Sequence, residues 1–115
     1  MGRTVAALGA LLVLAAAGGA QSDPAPHPVA LTLRDHRFTP ENITVPAGQR
    51  IRIDLVNQDG ASEEFDSEDL HVEKDVTPHG KVSFFVGPLA PGKYGFMGEL
   101  HADTASGTIE AVAQP

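Results

Sequence analysis

Residues 51–55 read Ile-Arg-Ile-Asp-Leu, and the alternation of apolar and polar side chains in this stretch decides the fold class. A period of two residues is typical of a strand with one buried face and one exposed face. The same alternation occurs from Val29 to Leu33. Turn-forming residues separate such runs every eight to twelve residues or so, the spacing of a small sandwich or barrel. We therefore predict an all-β Greek-key β-sandwich of seven to eight strands with negligible helix.

The alternation also predicts individual strands and the side chains that fill the core. The predicted strands span residues 29–34, 42–45, 49–57, 63–66, 69–75, 81–86, 92–97 and 107–112. The predicted inward-facing side chains are Leu31, Leu33, Phe38, Ile43, Val45, Ile51, Ile53, Leu55, Phe65, Leu70, Val72, Val82, Phe84, Val86, Leu89, Tyr94, Phe96 and Ile109. An aliphatic core of this size explains folding without any ligand.

Composition restricts the partners and the metal chemistry. The 115 residues carry 15 acidic and 8 basic side chains, for a formal net charge of −7, and include no cysteine. The negative charge disfavours nucleic acid and makes cations the natural small partners. Without cysteine there are no disulfides, no zinc–thiolate sites, no iron–sulfur clusters and no copper–thiolate centre. Any bound metal must therefore be held by histidine, methionine, carboxylate or backbone oxygen.

The N-terminus has the features of a secretory signal. Arg3 precedes a short apolar run at residues 5–17, which ends in small residues before Gln21. The run is shorter than the roughly 20 residues that span a bilayer, although a retained membrane anchor is the alternative. We expect a periplasmic protein with no membrane insertion after signal cleavage. The predicted organisation is a signal peptide at 1–20, a flexible proline-rich lead-in at 21–28 and one domain at 29–113.

Three segments carry side chains that suit a metal ion. Residues 63–69 place five carboxylates around Phe65, which indicates either a cation site or a solvated edge strand. Residues 97–101 combine a thioether, a carboxylate and an imidazole where a strand runs into a loop; Met97 as core filler and His101 as a surface residue are the alternative. His71, on the outward face of the strand at 69–75, shares that face with Glu73; an ordinary polar face, with Glu73 and Lys74 paired or solvated, is the alternative. The remaining histidines, predicted to be exposed and without function, are His27, His36 and His79.

Several motifs resemble those of the cupredoxins. They are Phe38-Thr-Pro-Glu-Asn-Ile-Thr-Val-Pro-Ala-Gly48, then residues 51–59, Pro88-Leu-Ala-Pro-Gly-Lys-Tyr-Gly-Phe96, and Gly107-Thr-Ile109. The resemblance covers residues 29–112 and implies a cupredoxin-like β-sandwich. In that family a first histidine ligand follows the Asn-x-Asp turn. A cysteine, a second histidine and often a methionine lie on the loop after the Tyr-x-Phe strand.

The chain departs from the family's ligand pattern. Glu63-Glu64 stands where the first histidine is expected, Gly98 stands at the cysteine position, and the usual methionine position near Thr104 or Ala105 holds no ligand. His101 matches the second histidine. The motifs Glu-Glu-Phe-x-Ser, Asp-Leu-x-x-Glu-Lys and Gly-Glu-x-His resemble a cysteine-less branch associated with periplasmic iron uptake. In that branch the partners are an iron permease and a second periplasmic metal-binding protein.

Together these observations predict a periplasmic metal-binding protein that assists iron acquisition. The expected cation is copper, ferrous iron or both, and the candidate metal ligands are His101, Glu99, Glu64, Met97 and His71. A binding role is favoured, and oxidation of ferrous iron at a bound copper ion stays open. The alternatives are a copper chaperone or buffer, and a metal-free sandwich that binds other proteins.

Overall fold

Two β-sheets packed face to face make up the described part of the chain, residues 24–115 of a computed structural model. The nine strands within these residues are β1 (His27–Arg34), β2 (Arg37–Thr39), β3 (Asn42–Pro46), β4 (Ile51–Asn57), β5 (Glu63–Ser67), β6 (Val72–Val76), β7 (Lys81–Val86), β8 (Gly92–Gly98) and β9 (Ser106–Val112). One 3₁₀ turn, Glu99–His101, follows β8. The predicted signal at residues 1–20 and the first three residues of the lead-in lie outside the described residues.

The strand order shows how the chain passes between the sheets. The first sheet has the order β2-β1-β4-β7 and the second has the order β3-β9-β8-β5-β6. The pairs β1–β4 and β3–β9 are parallel, and every other pair is antiparallel. The chain changes sheet after β2, β3, β4, β6 and β7. Strands that follow one another in the sequence are therefore often not neighbours in a sheet. The predicted all-β sandwich is confirmed.

The strand boundaries differ from the prediction in several places, and β4 begins at Ile51 rather than residue 49. A ninth strand, β2, was not expected, because three residues after a tight turn are too few to show alternation. β1 begins at His27, two residues earlier than predicted, and its first residue pairs with Ile51. β6 begins at Val72 rather than residue 69, so the prediction that His71 lies on a strand is wrong. His71 has a positive φ of 57° and belongs to the turn between β5 and β6.

The core lies between the sheets, as the alternation predicts. Phe65 stacks on Phe96 at its centre, with ring centroids 5.1 Å apart, and Phe38 and Phe84 contact Phe65 edge-on or tilted. The predicted core residues that are only partly buried are Val72, Val82, Leu89 and Tyr94. The buried apolar residues that were not predicted are Val29, Val76, Ala105 and Ala111.

Three polar side chains are also buried, namely Asn57, Glu63 and Ser67. Buried polar groups are retained where hydrogen bonds satisfy them. Asn57 donates from Nδ2 to the carbonyl oxygens of Ala61 and Thr77 and so ties the loop after β4 to the loop before β7. Within residues 24–115 no helix is long and apolar enough to cross a membrane.

Candidate metal centre

Glu63, the first residue of β5, is the buried carboxylate at one end of the sandwich. Its side chain is 1% exposed. Oε2 lies 2.6 Å from Nδ1 of His101, and Oε1 accepts the backbone N–H groups of Glu64 at 2.9 Å and of Leu100 at 2.8 Å. Three donors therefore satisfy this carboxylate, and these hydrogen bonds offset the cost of removing it from water. Glu63 fixes the 3₁₀ turn that carries His101 against the start of β5.

Gly98 makes room for the Glu63 carboxylate. A Cβ placed on Gly98 would lie 2.6 Å from Cδ of Glu63 and 2.9 Å from Cβ of Ala105. Carbon atoms do not approach this closely without a shift of the neighbouring groups. Any side chain at position 98 would thus compete with Glu63 for the same space. Ala105, which is fully buried, forms the other wall of that space and carries no donor atom.

His36 lies against His101, although it was predicted to be an exposed residue without function. The two imidazole rings stack with centroids 3.7 Å apart and planes inclined by 11°. His36 occupies the tight turn between β1 and β2, and its carbonyl oxygen accepts a hydrogen bond of 2.7 Å from Oγ1 of Thr104. The two residues of this hydrogen bond are 68 positions apart in the chain. No local sequence pattern reports such a contact.

Asp59 supports the turn that carries His36. Its carboxylate accepts the backbone N–H groups of Asp35 at 2.7 Å and of His36 at 3.0 Å, and Oδ2 lies 3.5 Å from Nδ1 of His36. Burial alone would raise the pKa of Asp59. The N–H donors of His36 and Asp35, together with the nearby rings of His36 and His101, outweigh burial, and the pKa is lowered from its ordinary value.

A second group of acidic side chains lies on the outer face of the second sheet. Glu64, Asp66 and Glu99 each offer an oxygen, and these oxygens lie within 4.8 Å of one another. Glu64 and Asp66 are alternate residues of β5, and Glu99 follows the neighbouring strand β8. We call these three residues the carboxylate cluster.

The carboxylates of this cluster are close enough to share a proton. A hydrogen bond with Glu99 is the largest cause that raises the pKa of Glu64 to about 7. Partial burial and the negative charges of Glu99, Glu73 and Asp75 act in the same direction. Glu73 and Asp75 contribute because they are the partners of Asp66 and Glu64 across the β5–β6 ladder. The cluster is therefore a concentration of negative charge that a cation would relieve.

The structure brings some of the predicted ligands together and separates others. Glu64 and Glu99 converge, with Asp66 as an unpredicted third member. Met97 is paired with Asp66 across the β5–β8 ladder and is 41% exposed, so it is not core filler. His71 lines an open hollow beside Asp66 and is not among the residues that converge within 4.8 Å. Among residues 24–115, no histidine joins the three carboxylates at this distance, and His101 contacts Glu63 and His36 instead.

Comparison with protein families shows to which family this sandwich belongs. The family model described as cupredoxin-like domain matches residues 4–111. The chain belongs to the cupredoxin-like domain family. A protein of Rickettsia prowazekii (strain Madrid E), RP394, is 46% identical over 81 residues, which is 70% of this chain. The match spans 65% of that protein, just under two thirds of its length.

Solved structures give the same fold at low identity. Auracyanin A of Chloroflexus aurantiacus, described as a blue copper protein, has a TM-score of 0.65 at 13% identity and covers 76% of this chain and 100% of its own. The metal-binding domain of the Streptococcus pneumoniae D39 Cu(I)-exporting ATPase CopA was solved with Cu(I). It has a TM-score of 0.64 at 13% identity, and the match covers 74% of this chain and 84% of that domain. At such identities the likeness concerns the fold alone.

The residues present do not fit the blue copper centre of cupredoxins. That centre requires a cysteine thiolate, and the sequence contains no cysteine. The cysteine position is Gly98, and the space beside it is filled by the Glu63 carboxylate. Of the adjacent pair Glu63-Glu64, which stands at the first-histidine position, the structure turns Glu63 inward to His101 and Glu64 outward to the carboxylate cluster. The described residues around Gly98 thus offer carboxylates and imidazoles but no thiolate.

Proposed function

We propose that this cupredoxin-like protein is an exported metal-binding protein that assists iron acquisition, with ferrous iron as its cargo at the carboxylate cluster. The observation that carries the proposal is the convergence of Glu64, Asp66 and Glu99 within 4.8 Å. The raised pKa of Glu64 supports it, because the proton held between two carboxylates occupies a place that a cation would take. The motifs shared with a cysteine-less branch associated with iron uptake point to the same cargo.

The donor set favours iron over cuprous copper. Carboxylate oxygens are hard ligands that suit Fe(II) and Mn(II), whereas Cu(I) prefers thiolate and thioether sulfur. Met97, across the ladder from Asp66, is the one sulfur close to the cluster among the described residues. Copper(II) would still outcompete iron for the same oxygens in a test tube, by the Irving–Williams order. Copper bound in vitro therefore does not identify the cargo.

The position of the cluster suits transfer of the cation to another protein. The three carboxylates lie on an outer sheet face, and Glu99 itself is exposed. A cation held there is accessible to an iron permease or to a second periplasmic metal-binding protein. The net charge of −7 raises the local concentration of cations around the molecule. We assign a binding and delivery role.

Anaerobic calorimetry with Fe(II), and with Mn(II) as an air-stable substitute, tests the proposal. The double variant Glu64→Gln/Glu99→Gln should bind both ions at least about tenfold more weakly than the wild type, the effect of losing about 1.4 kcal/mol of ligand interaction. Glu110→Gln, an exposed carboxylate on β9, is the matched control and should bind like the wild type. Equal affinity of the double variant and the wild type would remove the cluster from the function and favour a copper buffer or a protein-binding sandwich.

A further inference from the structure

His36 and His101 form a feature that the carboxylate cluster does not use. Their rings stack at 3.7 Å, and we call them the imidazole pair. His101 matches a ligand position of cupredoxins, whereas His36 comes from the β1–β2 turn and matches none of the four positions described above. Three elements meet at the pair: the β1–β2 turn, the loop containing Asp59, and the turn after β8.

Several contacts outside the rings hold the pair in place. Thr104 donates to the carbonyl oxygen of His36 at 2.7 Å and so joins the β1–β2 turn to the loop that follows His101. Asp59 accepts the N–H groups of both turn residues. The backbone of Thr104 and of Ala105 also donates to the carbonyl oxygen of His101, at 3.1 and 2.9 Å. The backbone positions of the two histidines are therefore determined by the fold.

The β1–β2 turn has an unusual backbone conformation at His36. Asp35 and His36 have φ angles of 52° and 56°, in the left-handed region. Two consecutive residues in this region form the tight hairpin turn in which glycine is strongly preferred at the second position. Non-glycine residues adopt this conformation less readily, and His71 and His79 also have positive φ angles.

Both rings point Nδ1 toward a carboxylate. Nδ1 of His101 lies 2.6 Å from buried Glu63, and Nδ1 of His36 lies 3.5 Å from Asp59, whose side chain is 12% exposed. Nε2 is the other nitrogen of each ring. Among residues 24–115, neither Nε2 has a hydrogen-bond partner. A carboxylate hydrogen-bonded to one ring nitrogen, as Glu63 is to His101, orients histidine ligands of metals so that the other nitrogen can bind the ion.

We propose that the imidazole pair binds one copper ion through the Nε2 atoms of His36 and His101. Imidazole suits copper, which also has the highest affinity for nitrogen ligands among the divalent first-row metals. The side chain of His36 is 43% exposed, so its ring has room to tilt from the stacked position until both lone pairs meet at the ion. Solvent molecules complete the coordination. This site is separate from the carboxylate cluster and does not depend on iron binding there.

Copper(II) titration of the purified protein, followed by calorimetry and electron paramagnetic resonance, tests the proposal. Cu(II) at less than one equivalent should give nitrogen hyperfine splitting from two imidazoles. His36→Ala and His101→Gln should each lower the affinity at least about tenfold and leave one nitrogen. Gln at position 101 keeps a donor for Glu63, so folding is preserved. His79→Ala, which also replaces a positive-φ turn histidine, and His71→Ala are matched controls and should bind copper like the wild type.

The outcomes separate this site from the carboxylate cluster. Glu64→Gln/Glu99→Gln should keep the two-nitrogen signal, whether or not it has lost Fe(II) binding. Wild-type affinity and two nitrogens in His36→Ala would overturn the proposal, because His36 would then not be a ligand. Loss of copper binding in Glu64→Gln/Glu99→Gln would overturn it too, because copper would then be held by the cluster.

Discussion

The carboxylate of Glu63 lies 2.6 Å from Nδ1 of His101, and the absence of a side chain at Gly98 leaves room for this carboxylate. The pair holds β5 and the turn after β8 together across 38 positions of sequence. It also separates the two groups of candidate ligands, since Glu64 and Glu99 lie on the outer face while His101 faces His36.

Replacement of Glu63 should destabilise the fold strongly. Glu63→Ala leaves Nδ1 of His101 and the N–H groups of Glu64 and Leu100 without their acceptor in a buried site. Removing one partner of a buried pair costs about 3–5 kcal/mol. Urea denaturation of Glu63→Ala and of the exposed control Glu110→Ala measures this cost. A loss below about 1 kcal/mol would show that the pair contributes little to folding.

Gly98 and Glu63 should be energetically coupled. Gly98→Ala introduces a methyl group that meets Cδ of Glu63 at 2.6 Å, and overpacking of this kind costs about 1–3 kcal/mol. In the double variant Glu63→Ala/Gly98→Ala the methyl group meets no carboxylate, so Gly98→Ala should cost less there than in the wild type. A double-mutant cycle of unfolding free energies measures the difference. Strictly additive changes in unfolding free energy would show that a side chain at position 98 and Glu63 do not compete for the same space.

The stability of the metal-free protein should fall as the pH rises from about 5 to about 7. Glu64 has an ordinary pKa of 4.5 and a folded-state pKa of about 7, so in this range the folded state binds more protons than the unfolded state. Stability therefore decreases with pH until the folded-state pKa is passed. Thermal melts of the wild type and Glu64→Gln test this. Glu64→Gln should show a flatter profile, and an unchanged slope in the variant would exclude Glu64 as the cause.

His36→Gly should be more stable than His36→Ala although both lose the imidazole pair. Glycine adopts the φ of 56° without the cost of about 1–2 kcal/mol that other residues incur there. Chemical denaturation compares the two variants, and copper titration should find both equally weakened. If His36→Ala equals His36→Gly in stability, the turn is not strained at this residue.

The alternation of apolar and polar side chains predicts the sandwich because it shows which face of each strand is buried. It places Ile51, Ile53 and Leu55 inside, and all three are fully buried. With Phe65 inside, the same period places Glu63 inside and Glu64 outside, as the structure has them. The family resemblance could not choose between these two glutamates, since both stand near the first-histidine position. Each half of the candidate site thus has some basis in the sequence.

Contacts between distant segments could not be predicted in this way. His36 follows Asp35 in a turn too short for any periodicity, and its ring meets His101 only after both sheets have formed. Asp66 joins Glu64 by period two, but its approach to Glu99 depends on the pairing of β5 with β8. His71 was misplaced because the turn after β5 extends to it and delays the start of β6. Tertiary pairing, not local pattern, decides these positions.

The metal content of the protein isolated from the exported fraction of its own cells tests the central claim most directly. Elemental analysis of rapidly purified wild type should find iron, and the same analysis of Glu64→Gln/Glu99→Gln should find it lost, while Glu110→Gln retains it. Iron at the wild-type level in the double variant, or copper without iron in the wild type, would contradict the assignment of iron to the carboxylate cluster.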